Sequence, residues 1–221
     1  MGKIQIHRAG LTVSASPVEL ESLSQQFQER HVILLEEFLE PGLLAQVQEA
    51  MGGAQFLPLH HEDIKLELCM TADSLAVHML LLLANNPQLF ALIQQITRCP
   101  PLGCYVGRIY RFPEGPEFLD QWHDDLGDGR QIGMSINLGA EPYEGGLLEL
   151  REDRKLLGRF ANTIPGNALV FRIHEGLQHH VTAVQGAAPK TAFAGWFIDQ
   201  ACSKPYLELL RGPVSTNNVR C

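Results

Sequence analysis

Cys104-Tyr105-Val106-Gly107-Arg108-Ile109-Tyr110-Arg111-Phe112 marks a change of texture in the chain. From here on, short runs of alternating or continuous apolar residues are separated by turn chemistry at intervals of about 8–12 residues. The runs are residues 104–112, 119–125, 131–138, 146–151, 159–163, 168–173, 180–184 and 191–198. The turns between them include Gly127-Asp128-Gly129, Glu144-Gly145-Gly146, Pro165-Gly166-Asn167 and Gly186-Ala187-Ala188-Pro189. Such a series of short strands predicts an all-β barrel or sandwich. With a helical lead-in before it, the expected fold is α+β with a mainly β core: a double-stranded β-helix, or jelly roll, with N-terminal buttressing helices.

Upstream, Ser16-Pro17-Val18-Glu19 combines a Ser cap, Pro at the first helical position and a Glu that completes a capping box, and Leu20, Leu23 and Phe27 follow at helical spacing. His31-Val32-Ile33-Leu34-Leu35 then reads as a short buried strand, and Pro41 opens a helix to about Met51. Residues 52–65 read as a loop, and helices are expected at about 74–84 and 87–98 before Pro100-Pro101 ends the region. The expected organisation is one domain over 1–221. A mostly helical part, 1–103, packs on a jelly-roll catalytic core, 104–200, and a C-terminal tail follows over 201–221.

The chain has 221 residues, 45% hydrophobic and 19% charged, which is the composition of an ordinary globular protein. Seventeen Lys plus Arg against 25 Asp plus Glu give a formal charge of −8, which argues against nucleic acid as a partner. The longest apolar run, Met79 to Ala84, is far short of the roughly 20 residues that cross a bilayer. No apolar signal follows Met1, so the expected compartment is the cytoplasm, with no membrane partner. Five cysteines without a C-x-x-C pair read as reduced, mostly structural thiols.

Chemistry concentrates in Gln121-Trp122-His123-Asp124-Asp125. On a strand, His123 and Asp125 would share a face, a spacing able to grip one metal. A third ligand is available about 55 residues later in Gln178-His179-His180-Val181. Two His and one carboxylate form a facial triad that leaves positions open and suits non-haem Fe(II) oxygen chemistry. Downstream, Lys190, Ala192, Ala194 and Trp196 share a strand face, so that one Lys looks inward past two small residues. A buried Lys needs an anion, and a carboxylate of a small dianionic cosubstrate would supply it. The alternative is an edge-strand Lys turned to solvent.

Taken together and in order, these parts resemble the Fe(II)/2-oxoglutarate-dependent dioxygenases, in the branch that includes the prolyl hydroxylases. The resemblance covers about Val106 to Phe197 and, more weakly, His31 to Leu39. It is carried by Tyr110, the His123-x-Asp125 pair, Glu144-Gly145-Gly146-Leu147-Leu148-Glu149-Leu150, Asn167 to Phe171, the distal His followed by Val181 and Val184, and a basic residue six before Trp196. It implies that His123, Asp125 and His179 bind Fe(II), that Lys190 pairs with the distal carboxylate of 2-oxoglutarate, and that Tyr110 lines the same pocket. The family's H-x-V-x-x-V spacing selects His179 over His180, which would face away or support the site. Two features depart from the family. Lys190 stands where Arg is commoner, giving a point charge in place of a fork, and the gap from His179 to Lys190 is a residue or two longer than usual.

The activity so implied is hydroxylation of an unactivated C–H of an amino acid, a peptidyl residue or a small natural product. Decarboxylation of 2-oxoglutarate to succinate and CO2 with O2 drives it, and ascorbate is a further candidate cofactor. An intact Asp125 favours hydroxylation over chlorination. Arg108, Trp122 and Arg130 are candidate substrate-binding residues, and the 52–65 and 124–130 loops are candidate lids. The partner is a small molecule or peptide; the sequence does not give the oligomeric state. Two other readings stand beside this one: a catalytically silent jelly-roll module that binds a small molecule or peptide, and a cupin-like metalloenzyme that does not use 2-oxoglutarate.

Overall fold

The computed structural model describes residues 2–60, 66–115 and 117–200. In chain order the first half holds β1 (Ile4–His7), β2 (Gly10–Val13), α1 (Pro17–Arg30), β3 (Val32–Leu35), α2 (Pro41–Met51), β4 (Phe56–Leu59), β5 (Glu67–Met70), α3 (Leu75–Ala84) and α4 (Pro87–Thr97). The second half holds β6 (Cys104–Phe112), β7 (Arg130–Asn137), β8 (Glu144–Gly145), β9 (Leu148–Glu152), β10 (Lys155–Phe160), β11 (Ala168–Arg172), β12 (Leu177–Val181), β13 (Val184–Gln185) and β14 (Lys190–Ile198).

A seven-stranded sheet in the order β3-β11-β7-β14-β6-β5-β4 faces a smaller sheet, β10-β9-β12, with β13-β8 beside it. All of their pairings are antiparallel. This is the expected jelly roll, buttressed on its outer face by helices. Alternation along the strands divides the side chains between the two faces. Tyr105, Ile109, Phe193 and Phe197 join the large core shared with the helices. Tyr110, Phe112 and Ala192 fall in a second cluster, and Leu150, Leu169 and Phe171 in a third, both inside the roll. Each fully buried aromatic on the helix side contributes roughly 1.5–3 kcal/mol by its removal from water.

The helices start where their chemistry places them. Ser16 and Glu19 form the capping box of α1, with the Ser16 N–H donating to Glu19 Oε2 at 2.8 Å, and Pro opens α1, α2 and α4. Among the described residues no single helix is long and apolar enough to cross a membrane.

Several expectations are corrected. The N-terminal part contributes more strands than the expected β3: β4 and β5 also extend the large sheet, and β1 pairs β2. The 52–65 stretch was expected as a loop because β4 carries Pro58 and is half-buried at best, as an edge strand can be. The 119–125 run is no strand; it holds isolated bridges at Asp120 and His123, the latter to His179. The run expected at 159–163 lies earlier, at Lys155–Phe160, and that at 180–184 divides into β12 and β13. Cys69 and Cys99 are free thiols, but Cys104 is disulfide-bonded, since cysteine spacing does not reveal connectivity. The 201–221 tail also lies outside the described residues.

Candidate metal and cosubstrate site

β12 points its odd residues into the roll, so His179 is 4% exposed, with its ring 4.8 Å from Phe171 and 4.4 Å from His123. Phe171 can lie there because Gly133 opposite has no side chain; a Cβ at that position would come within 2.2 Å of the ring. His123 docks by backbone alone. Its N–H donates to the His179 carbonyl at 3.0 Å and its carbonyl accepts from the His179 N–H at 2.8 Å. This reciprocal pair sets the two imidazoles side by side.

The chain then turns at Asp125, which is left-handed with φ 57°. His123 and Asp125 therefore meet through a turn and not, as the sequence suggests, through strand alternation. Asp125 Oδ2 lies 3.2 Å from His179 Nε2, and Oδ1 lies 3.6 Å from His123 Nε2. The Trp196 indole N–H donates to Asp125 Oδ2 at 2.7 Å. Burial pushes the Asp125 carboxyl up, but the hydrogen bond and charge of His179, with His123 and Trp196, outweigh it and hold the group at about 2. It is a carboxylate at any working pH.

His123, Asp125 and His179 offer ligand atoms that all lie within 4.8 Å of one another. His123 Nδ1 lies 2.7 Å from the Gln121 carbonyl, which can only accept. The proton is thus on Nδ1 and the Nε2 lone pair is free for a metal. Donor types, protonation and convergence all fit a divalent iron.

Around the triad lies a cavity of about 420 Å³, bordered by His123, Asp125, Asp120, Tyr110, Arg108, Arg130, Trp196 and Glu67, among others. Tyr110, Arg108 and Arg130 are therefore brought to the triad. Lys190 is 5% exposed and donates to the Gly146 carbonyl at 3.1 Å. Gly146 sits at φ 57°, where a Cβ would come 3.2 Å from the Lys190 side chain. Burial brings the Lys190 ammonium down to about 8, against a partial opposing effect from Asp120. Trp122 lies outside the cavity. Neighbouring side chains diverge where His123 bridges, and Trp122 stacks on His180 at 4.2 Å with Arg151 over its ring at 4.1 Å. His180 is turned the same way, with Nε2 2.8 Å from Glu149 Oε2.

Two residues escaped the sequence reading. Asp120 accepts from the Val181 N–H at 2.7 Å through Oδ2, while its buried Oδ1 has no hydrogen bond and lies 3.4 Å from His123 Nδ1. It ties β12 to the turn that carries His123 and Asp125, and its position three before His123 is its only sequence signal. Glu67, 1% exposed, holds Arg108 through an ion pair of 2.5 Å from Nε to Oε1. It comes from β5, a strand that the sequence pattern did not reveal.

Comparison with known proteins agrees with this geometry. Residues 108–198 match the profile described as the 2OG-Fe(II) oxygenase superfamily, while no curated protein matches the chain. Among solved structures, an oxidoreductase of the 2OG-Fe(II) oxygenase family from Burkholderia pseudomallei aligns with TM-score 0.64 and 15% identity, over 91% of this chain and 97% of that one. A prolyl-4-hydroxylase from Pseudomonas putida aligns with TM-score 0.61 and 18% identity, over 82% and 100%. The epimerase SnoN in complex with Fe3+, alpha ketoglutarate and nogalamycin RO aligns with TM-score 0.58 and 13% identity, over 83% and 85%. These likenesses are of fold. The segment that carries the triad, residues 108–198, is thus the one that matches the 2OG-Fe(II) oxygenase superfamily, a family of oxidoreductases that use Fe(II), 2-oxoglutarate and O2.

Proposed function

We propose that the protein is a 2-oxoglutarate-dependent hydroxylase that acts on an unactivated C–H of an amino acid, a peptidyl residue or a small natural product. The observation that carries this reading is the convergence of two imidazoles and one ionised carboxylate beside a cavity, lined by His123 and Asp125, large enough for a small substrate beside a cosubstrate. In this reading His123, Asp125 and His179 hold Fe(II). The bound metal, with 2-oxoglutarate and O2, supplies the oxidising power for hydroxylation, and the cosubstrate leaves as succinate and CO2.

The chain's own groups do the rest. Lys190, a buried cation with a single carbonyl as hydrogen-bond partner among the described residues, has donors left for the distal carboxylate of 2-oxoglutarate. Tyr110 stands opposite Ala192 on the neighbouring strand and lines the same space. Gln121 and Asp120 hold His123 in the tautomer and orientation that binding needs. Trp196 fixes the Asp125 carboxylate, keeping it a ligand. Phe171, Val181 and Ala194 give the cavity an apolar wall that excludes water from the reacting centre.

The test is an anaerobic titration of the purified apo-protein with Fe(II) and then 2-oxoglutarate. The expected result is the weak visible charge-transfer band of a chelated 2-oxoacid, lost in His179→Ala. An iron-loaded wild type without the band would overturn the proposal and favour a binding module or a metalloenzyme of another kind.

A further inference from the structure

The cavity wall that holds Arg108 and Arg130 carries charge that iron and a Lys190-bound 2-oxoglutarate leave unused. Across the β14–β6 ladder Lys190 stands opposite Phe112, and Ala194 stands opposite Arg108. Four residues of strand separate the two positions, about 13 Å at 3.3 Å per residue. The triad lies between them. Asp125 accepts from Trp196 toward the arginine end, and Asp120, beside His123, lies within electrostatic reach of Lys190. Two separate cationic points therefore flank the metal ligands, and one small cosubstrate answers only one of them.

Arg130 and Arg108 build the second point. The Arg130 guanidinium lies 3.8 Å from the centre of the Trp196 ring, and that of Arg108 lies 5.7 Å from it. This cation–π packing holds Arg130 flat against the wall. Its nearest carboxylate oxygens, on Asp125 and Asp128, are both 3.6 Å away, and its side chain makes no hydrogen bond among the described residues. Asp125 is already committed to the two histidines and Trp196, and Asp128, with its side chain 86% exposed, is screened by water. Glu67 fixes Arg108 and cancels one of the two positive charges. What remains is a net single positive charge with planar N–H donors unmet, on a wall of indole and aliphatic side chains.

We infer that Arg108 and Arg130 form a clamp for one carboxylate of the primary substrate, which is thereby a small organic acid with a free carboxylate and an apolar body, a free or N-acylated amino acid being the fitting class. The single surplus charge matches a monoanion better than a dianionic phosphate, and guanidinium planes suit the two oxygens of a carboxylate. Inside a peptide chain only Asp and Glu have such a group to offer, and their side chains bring little apolar body with it. This inference rests on the proposed Fe(II)/2-oxoglutarate reading and narrows it.

The experiment uses the full chain loaded anaerobically with Fe(II) and 2-oxoglutarate. The probes are a panel of amino acids and N-acetyl amino acids, each matched with its primary amide. Binding is read as a change in the charge-transfer band and as a shift in melting temperature. The expected result is at least one acid that binds tenfold or more tightly than its amide. In Arg130→Gln this preference is lost, while the 2-oxoglutarate titration stays within threefold of wild type. Glu67→Gln/Arg108→Gln, which removes both charges of the buried pair together, is the second variant and loses the same preference. A panel in which no acid outbinds its amide, or a preference that survives in both variants, overturns the clamp. If the wild type never forms the Fe(II)/2-oxoglutarate complex, the failure is visible before any probe is added and removes the underlying reading and the clamp together.

Discussion

The two faces of the seven-stranded sheet are made by the same strands and differ in almost every physical respect. Toward the helices, Tyr105, Ile109, Phe193 and Phe197 are each fully buried and packed in one continuous apolar core. Toward the roll's interior, the alternate residues Arg108, Tyr110 and Trp196 border a cavity beside the candidate triad, and Lys190 is buried on the same strand face. Ala192 and Ala194 between Lys190 and Trp196 keep that face open, whereas Phe193 between them closes the other. A period of two thus lets one strand supply stability with one set of side chains and chemistry with the other. The apolar face gains from every group removed from water, while the interior face bears buried charge that is offset in part by pairs such as Glu67–Arg108 and, at Lys190, by a single carbonyl.

Substitutions on opposite faces of β14 should therefore fail in opposite ways. The largest effect is expected for Phe193→Ala, which leaves a void in a core that cannot collapse and costs about 3–5 kcal/mol. In a chain of this size that corresponds to a melting temperature lower by about 10 °C or more in calorimetry, and an unchanged melting temperature would break the comparison. Lys190→Met, three residues away on the other face, should melt no lower than wild type at pH 7 yet bind 2-oxoglutarate at least tenfold more weakly.

The same lysine gives the comparison a pH signature. Its ammonium is held at about 8 in the folded protein by burial, against an ordinary value of 10.5. Between those values the unfolded chain binds more protons than the folded one, so this group's contribution to stability rises with pH across that window and is flat in Lys190→Met. Cosubstrate binding should move the other way, since a neutral amine attracts no carboxylate. The dissociation constant of 2-oxoglutarate, read from the charge-transfer band, is expected to rise about tenfold between pH 7 and 9 in wild type and to lose this step in the variant. A wild-type constant that does not change with pH would remove Lys190 from its assigned role.

The smallest effect belongs to His180→Ala. His180 sits on the outer side of β12 with Glu149 and Trp122, so its loss should change turnover by less than about threefold, within the range of a surface contact. A loss as large as that of His179→Ala would show that the ligand assignment is reversed.

How far the sequence could be read depended on how local the signal was. The face shared by Lys190, Ala192, Ala194 and Trp196 was legible because strand alternation is local, and the pairing of Arg108 with Tyr110 on β6 was legible for the same reason. The capping box of α1 was equally plain, three residues sufficing to state it. Trp122 was misplaced because nearness to His123 in sequence was taken for nearness in space, whereas adjacent side chains diverge where His123 bridges to β12.

The sequence by itself determined the jelly-roll class, the helical buttress and the order in which metal-binding side chains occur, since these follow from periodicity, turn residues and spacing. The tertiary structure alone decided that Asp125 turns through a left-handed conformation to face both histidines, that Asp120 braces His123 from behind, and that Glu67 reaches Arg108 from the edge strand β5. The physical reason is that each of these contacts depends on the register between segments distant in the chain. Hydrogen-bond ladders and burial over the whole sheet fix that register, and no short window of residues contains it.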